Sequence, residues 1–98
     1  MAALTSHFDN CNLKDLYESM LHAATKMNSC LNIMLTHNYT SGTYIDAKVS
    51  LTEWENTYDV ARSVLFNKFG DIMTNKIESM VNSDIELINQ RRKIFGWV

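Results

Sequence analysis

The sequence predicts an all-α fold, in which a helical hairpin and a C-terminal helix self-associate into an antiparallel helical bundle. Apolar residues recur at steps of three and four along most of the chain, and this spacing keeps them on one side of an α-helix. The chain of 98 residues contains no proline, so nothing interrupts long helices. The connectors between the periodic stretches are short, which favours antiparallel neighbouring helices.

The composition is that of one folded domain. Apolar residues make up 46% of the chain and aromatic residues 10%, which is typical of a globular protein and not of a disordered one. The formal net charge of −2 indicates no particular partner and only weakly disfavours nucleic acid. We expect residues 1–98 to form a single all-helical domain.

The sequence shows no feature of export or membrane insertion. Residues 1–7 contain neither a basic segment nor a long apolar one, and no apolar run approaches the roughly 20 residues that span a bilayer. Cys11 and Cys30 form no CxxC pair, so we expect reduced thiols. We therefore expect a cytoplasmic protein without a membrane partner, in the host cytoplasm if the chain is viral.

The first helix is predicted over residues 13–35. Asn12 is a good N-cap residue, and Asp15 follows it by three positions. The apolar stripe of this helix is broad, as in an amphipathic helix that faces a core. Its members are Leu13, Leu16, Tyr17, Met20, Leu21, Ala24, Met27, Leu31, Met34 and Leu35.

The second helix is predicted over residues 43–69, with Thr43 as its N-cap and with Gly70 breaking or kinking it. Before it lies a polar connector over 36–42. A small β-hairpin centred on Ser41 and Gly42 is an alternative for that connector, although an isolated hairpin of this length is marginal in water.

The third helical region is predicted over residues 71–95, as one helix or two, and we favour one helix with a kink near Ser83. Ser83 and Glu86 have the spacing of a capping box, which would start a separate helix. Gly96 is placed to end the region as a C′ cap, and Trp97 and Val98 are placed to fold back on it.

No pattern of catalytic or metal-binding residues is present. The possible soft metal ligands stand at wider spacings than the pairs usual in zinc sites. Glu53 and Glu55 are two positions apart on a helix, hence on different faces. We expect no catalysis, no cofactor and no metal. The possible soft metal ligands in the sequence are His7, Cys11, His22, Cys30 and His37.

The second helix carries a narrow apolar stripe, which we call the seam. Its members follow one another by alternating steps of four and three, the pattern of helices that lie nearly parallel to a partner. A short third helix covers only part of such a stripe, so we expect the seam to meet a second copy in a two-fold homodimer. The seam consists of Ala47, Leu51, Trp54, Tyr58, Ala61 and Leu65.

Tyr58 and the run Ser63-Val64-Leu65-Phe66 near the end of the second helix are similar to a Tyr, Ser-Leu-Leu pattern. In these residues, and in length and helix order, the chain resembles the small nodaviral suppressors of RNA silencing. The resemblance implies an antiparallel homodimer that binds double-stranded RNA.

In that family, basic residues along the second helix hold RNA phosphates. The positions available in this sequence are Lys48, Arg62 and Lys68, and acidic residues share the helix with them. The Lys-Pro that usually follows the helix is Asn67-Lys68 here.

The C-terminal cations are a second candidate for nucleic-acid binding. Arg91, Arg92 and Lys93 stand beside Phe95 and Trp97, a basic and aromatic combination suited to nucleic acid. A simpler interpretation is that the cations complement the helix dipole in the last turn.

A protein-only interaction module is the alternative function, either a viral host-factor antagonist or a secretion partner. In length and in its mid-chain turn the chain resembles the helical hairpins exported by type VII secretion systems. Their hallmark in that turn is Trp-x-Gly, whereas this chain has Tyr39-Thr40-Ser41-Gly42.

Overall fold

The computed structural model describes residues 8–96, and within them it contains three α-helices and no β-strand. The helices are α1 (Leu13–Thr36), α2 (Gly42–Met80) and α3 (Asn82–Ile94). The predicted all-α fold is confirmed. No helix in this part of the chain is long and apolar enough to cross a membrane. The expectations that concern residues 1–7, Trp97 and Val98 lie outside the described residues.

The start of α1 is fixed as the sequence predicts. The Asn12 side chain accepts a hydrogen bond from the Asp15 N–H at 2.8 Å, and the Asp15 carboxylate accepts one from the Asn12 N–H at 3.3 Å. This reciprocal pair satisfies two N–H groups that the helix itself leaves without partners. The helix then buries one face. The apolar residues of that face are Leu16, Met20, Ala23, Ala24, Met27, Cys30, Leu31 and Met34.

The connector between α1 and α2 forms a turn, so the alternative of a β-hairpin is wrong. Asn38 Oδ1 accepts hydrogen bonds from both the N–H and the hydroxyl of Thr40, at 3.0 and 2.9 Å. Ser41, and not the predicted Thr43, caps α2 by accepting from the Tyr44 N–H at 3.1 Å. Short polar side chains bond to nearby backbone groups in this way, and here they favour a turn over a strand.

The seam of α2 packs inside the chain's own core. Its residues are buried, apart from the partly buried Trp54, and α1 and α2 share the most extensive contact in the fold. The Trp54 ring meets the His22 ring of α1 edge-on, with centroids 5.2 Å apart. The hairpin of α1 and α2 is therefore the centre of the molecule.

Gly70 divides α2 into two arms, residues 42–69 and 71–80, which confirms the predicted break. Its backbone lies at φ 86° and ψ 174°, a conformation open to glycine and strongly unfavourable for other residues. The Thr74 hydroxyl donates to the Gly70 carbonyl at 2.8 Å and helps to start the second arm. Beyond the bend, the Glu78 carboxylate forms an ion pair with Arg62 on the first arm.

The region after Gly70 is two helices, so the favoured prediction of one helix over 71–95 is wrong. The break falls at Val81, which is buried, and the turn there brings both Val81 and Ile88 into the core. The alternative start at a Ser83 capping box does not form either, because no side chain caps the start of α3. Its last turn holds three cations as predicted, and Gly96 follows with φ 74°.

Replacing Leu65 by Ala should lower the free energy of unfolding by roughly 2–5 kcal/mol, because Leu65 is fully buried and its truncation leaves a cavity. Chemical denaturation followed by circular dichroism measures this change. The matched control is Ile94→Ala, which should cost less than about 0.5 kcal/mol because Ile94 is 68% exposed. Equal losses for the two variants would contradict the assigned core.

Candidate functional site

Two of the cations predicted to hold RNA phosphates bond within the fold. Arg62 Nε donates to Glu78 Oε1 across the bend. Lys68 Nζ donates to the backbone carbonyls of Asp9 and Cys11, at 2.7 and 2.9 Å. These charges join the end of the first arm of α2 to the second arm and to the residues before α1.

Two further cations hold α3 in place. Arg91 Nη1 donates to the Asn28 carbonyl at 2.6 Å, and Arg92 Nη2 pairs with Glu55 Oε1. The Asn28 side-chain amide also donates to the carbonyl and the carboxylate of Asp84, at 3.1 and 3.2 Å. α3 is thus joined to α1 and to the first arm of α2 by polar contacts as well as by apolar ones.

Lys48, Lys68 and Lys93 are the exposed members of the predicted set. Lys48 also has an interaction within the chain, and Lys93 lies in the last turn of α3, where a cation complements the helix dipole. Four of the six predicted cations thus bond to the partners named above within the described part of the chain. RNA binding through them stays a prediction, and it requires several internal contacts to break.

The seam cannot serve a second copy as it stands. The side chains of Ala61 and Leu65 are fully buried, and Leu51 is only 2% exposed. A dimer contact through these side chains would have to open the core of each protomer. Self-association stays a prediction, and in this fold it requires other residues than the seam.

Three large apolar residues close to Gly70 in sequence are exposed, which the sequence analysis does not predict. Phe66 is 48% exposed, Phe69 41% and Ile72 82%, and they stand on both sides of the bend. We call these three residues the bend surface. The available signal was that Phe66, one position after Leu65, falls off the seam's helical spacing while remaining large and apolar.

A small open cleft of about 180 Å³ lies among the three helices, with Met27, Glu55, Asp59, Ile85 and Asn89 in its wall. Its volume is below the roughly 300–1,000 Å³ of typical ligand sites. Tyr58 also lines it. Burial, and then the nearby Glu78 carboxylate, raise the pKa of Tyr58 to about 12.

The soft metal ligands within the described residues are dispersed. Between residues 8 and 96, no group of three or more His, Cys, Asp or Glu side chains is arranged to hold a metal ion. His22 packs against Trp54, and His37 Nδ1 lies 2.8 Å from the Ile33 carbonyl at the end of α1. The two cysteines are not joined by a disulfide, and burial raises the pKa of the Cys30 thiol.

Comparison of the chain with protein-family models, with curated proteins and with solved structures finds no match. The resemblance to the nodaviral suppressors stays a prediction for that reason.

The Tyr58 phenol should titrate with a midpoint near pH 12, because its environment is poorly hydrated and negatively charged. The difference in tyrosinate absorbance between the wild type and Tyr58→Phe isolates this group. The unfolded chain ionises at the ordinary pKa of 10.0. The protonated Tyr58 phenol therefore stabilises the folded state. This stabilisation is complete below pH 10, and it is lost as the pH rises through about 12. A difference titration centred near 10 would place Tyr58 in contact with solvent.

Proposed function

We propose that the protein is a non-enzymatic, self-associating helical protein that acts through protein–protein contacts. The observation that carries this proposal is the bend surface. Three large apolar side chains remain exposed within seven residues, although the chain has a small core that could have used them. Clusters of exposed apolar side chains commonly mark interaction sites.

The charges near the bend surface suit contact with a second copy. In a two-fold dimer the same surface of each copy is in contact, so a surface with a net charge would bring like charges together. Between residues 66 and 72 there is one cation, Lys68, and one anion, Asp71, so the stretch carries no net charge. The Lys68 ammonium group is moreover held by two backbone carbonyls. A second copy therefore meets little electrostatic opposition here.

Double-stranded RNA binding is the second candidate, as expected of a viral suppressor of RNA silencing. It is favoured by the three consecutive cations in the last turn of α3, of which Lys93 is exposed. It is opposed by the internal bonds of Arg62, Lys68, Arg91 and Arg92. Phosphate contacts by these four side chains would cost bonds that the fold now uses.

Light scattering coupled to gel filtration should show a mass that rises with concentration from 11.3 kDa towards twice that value. Ile72→Ser should weaken association, because it removes apolar area from the bend surface. The matched control is Ile45→Ser, which changes an exposed isoleucine near the start of the first arm of α2, far from Gly70 in sequence. A wild type that stays monomeric at hundreds of micromolar, or equal effects of the two variants, would contradict the proposal.

A gel shift with an RNA duplex of about 20 base pairs, at low and moderate salt, tests the second candidate. The proposal predicts no shift for the wild type. A salt-sensitive shift that Lys93→Ala weakens would support RNA binding in its place.

A further inference from the structure

We infer that two copies associate by exchanging residues 71–96, which we call the C-terminal segment, through an opening at Gly70. The inference rests on the proposed self-association and states how that association occurs. The occupant of the bend surface is then the same surface of a second copy. Three observations support it: the nature of the hinge, the contacts of the segment, and the position of the exposed apolar residues.

Gly70 is suited to be a hinge. Its backbone angles are non-helical although it stands between two helical arms, and no atom beyond its immediate chain neighbours lies within 4 Å of the position that a Cβ would take. A change of this residue to helical angles would join the arms into one helix of 39 residues, about 58 Å long. That length exceeds the 42 Å longest extent of the closed chain, so the C-terminal segment would leave its own protomer.

The contacts of the C-terminal segment can be re-formed with a second copy. Glu78 meets Arg62, and Phe95 lies against Tyr44 with ring centroids 6.4 Å apart. Asp84, Arg91 and Arg92 likewise bond to residues before the hinge. When two open chains exchange segments, each of these contacts is restored between copies. Exchange of identical elements is accordingly a low-cost route to a dimer.

The bend surface gives the open dimer an apolar contact that the closed protomer does not have. Its residues flank the hinge on both sides, at positions 66, 69 and 72. When the two opened helices run past each other, the hinge regions are the parts of the two copies that meet for the first time. The exposed Phe66, Phe69 and Ile72 would be covered there, which gives the open dimer an apolar contact that the monomer does not have.

A mixture of two charge-reversal variants distinguishes exchange from simple association. Glu55→Arg and Arg92→Glu each place two like charges together within a closed chain, because Glu55 and Arg92 form an ion pair. In an exchanged heterodimer both pairs are again of opposite charge. The two variants should be mixed in denaturant, refolded together and weighed by native mass spectrometry.

Random pairing in an equal mixture of the two variants gives heterodimers as about half of all dimers. Exchange predicts a proportion of heterodimers clearly above this value. The control is the double variant Glu55→Arg with Arg92→Glu, which should refold alone with the wild-type proportion of dimer. Heterodimers at the statistical proportion would overturn exchange and leave self-association standing. Absence of dimers in the mixture and in the wild type would remove both the exchange and the proposed function.

Gly70→Ala gives an independent test. Alanine disfavours the bend and favours a continuous helix, so the apparent dissociation constant of the dimer should fall at least about tenfold. Gly42→Ala is the matched control, because Gly42 has equally open surroundings without the left-handed backbone. A Gly70→Ala protein that is monomeric, or unfolded, at concentrations where the wild type dimerises would contradict the inference.

Discussion

Ala47, Leu51, Tyr58, Ala61 and Leu65 bury their side chains between α1 and the first arm of α2, and the remaining elements attach to the hairpin that this contact forms. A chain of this size buries little surface beyond what it needs to fold. These seam residues are therefore already buried within one protomer. Association has to depend on residues that the hairpin leaves exposed.

The C-terminal segment is attached to the hairpin through a different balance of contacts. Val81 and Ile88 enter the core, but polar bonds from Asn28 to Asp84 and Arg91 hold much of α3. Asn28 Oδ1 is buried and accepts no hydrogen bond from the described residues. A buried acceptor without a partner costs roughly 1–3 kcal/mol, so the attachment of α3 is weaker than its contacts alone suggest. A segment held in this way can leave its site without dissolving the hairpin.

Several local determinants of the fold could be predicted from the sequence because they depend on nearby residues, although the N-cap of α2 is Ser41 and not the predicted Thr43. The capping box at Asn12, the helical stripes and the break at Gly70 are of this kind. The helix boundary at Val81 is set by burial of that residue in the core, which no local pattern encodes.

The candidate site was less predictable, because its residues depend on distant partners. Charge and helix position alone predict that Arg62 and Lys68 are phosphate ligands. Their partners, Glu78 and the Asp9 carbonyl, are 16 and 59 positions away. The seam was correctly found as a packing surface, but its spacing does not state whether the packing partner is α1 or a second copy.

Amide hydrogen exchange resolved by residue tests most directly the claim that the hairpin is the stable unit and the C-terminal segment is detachable. The measurement is made at a concentration low enough to keep the protein monomeric. The account predicts that amides in α1 and in residues 47–65 exchange only through global unfolding, and that those in residues 71–94 exchange together through an opening of lower free energy. Equal protection of the two regions would contradict the account, since the segment would then open only when the whole chain unfolds.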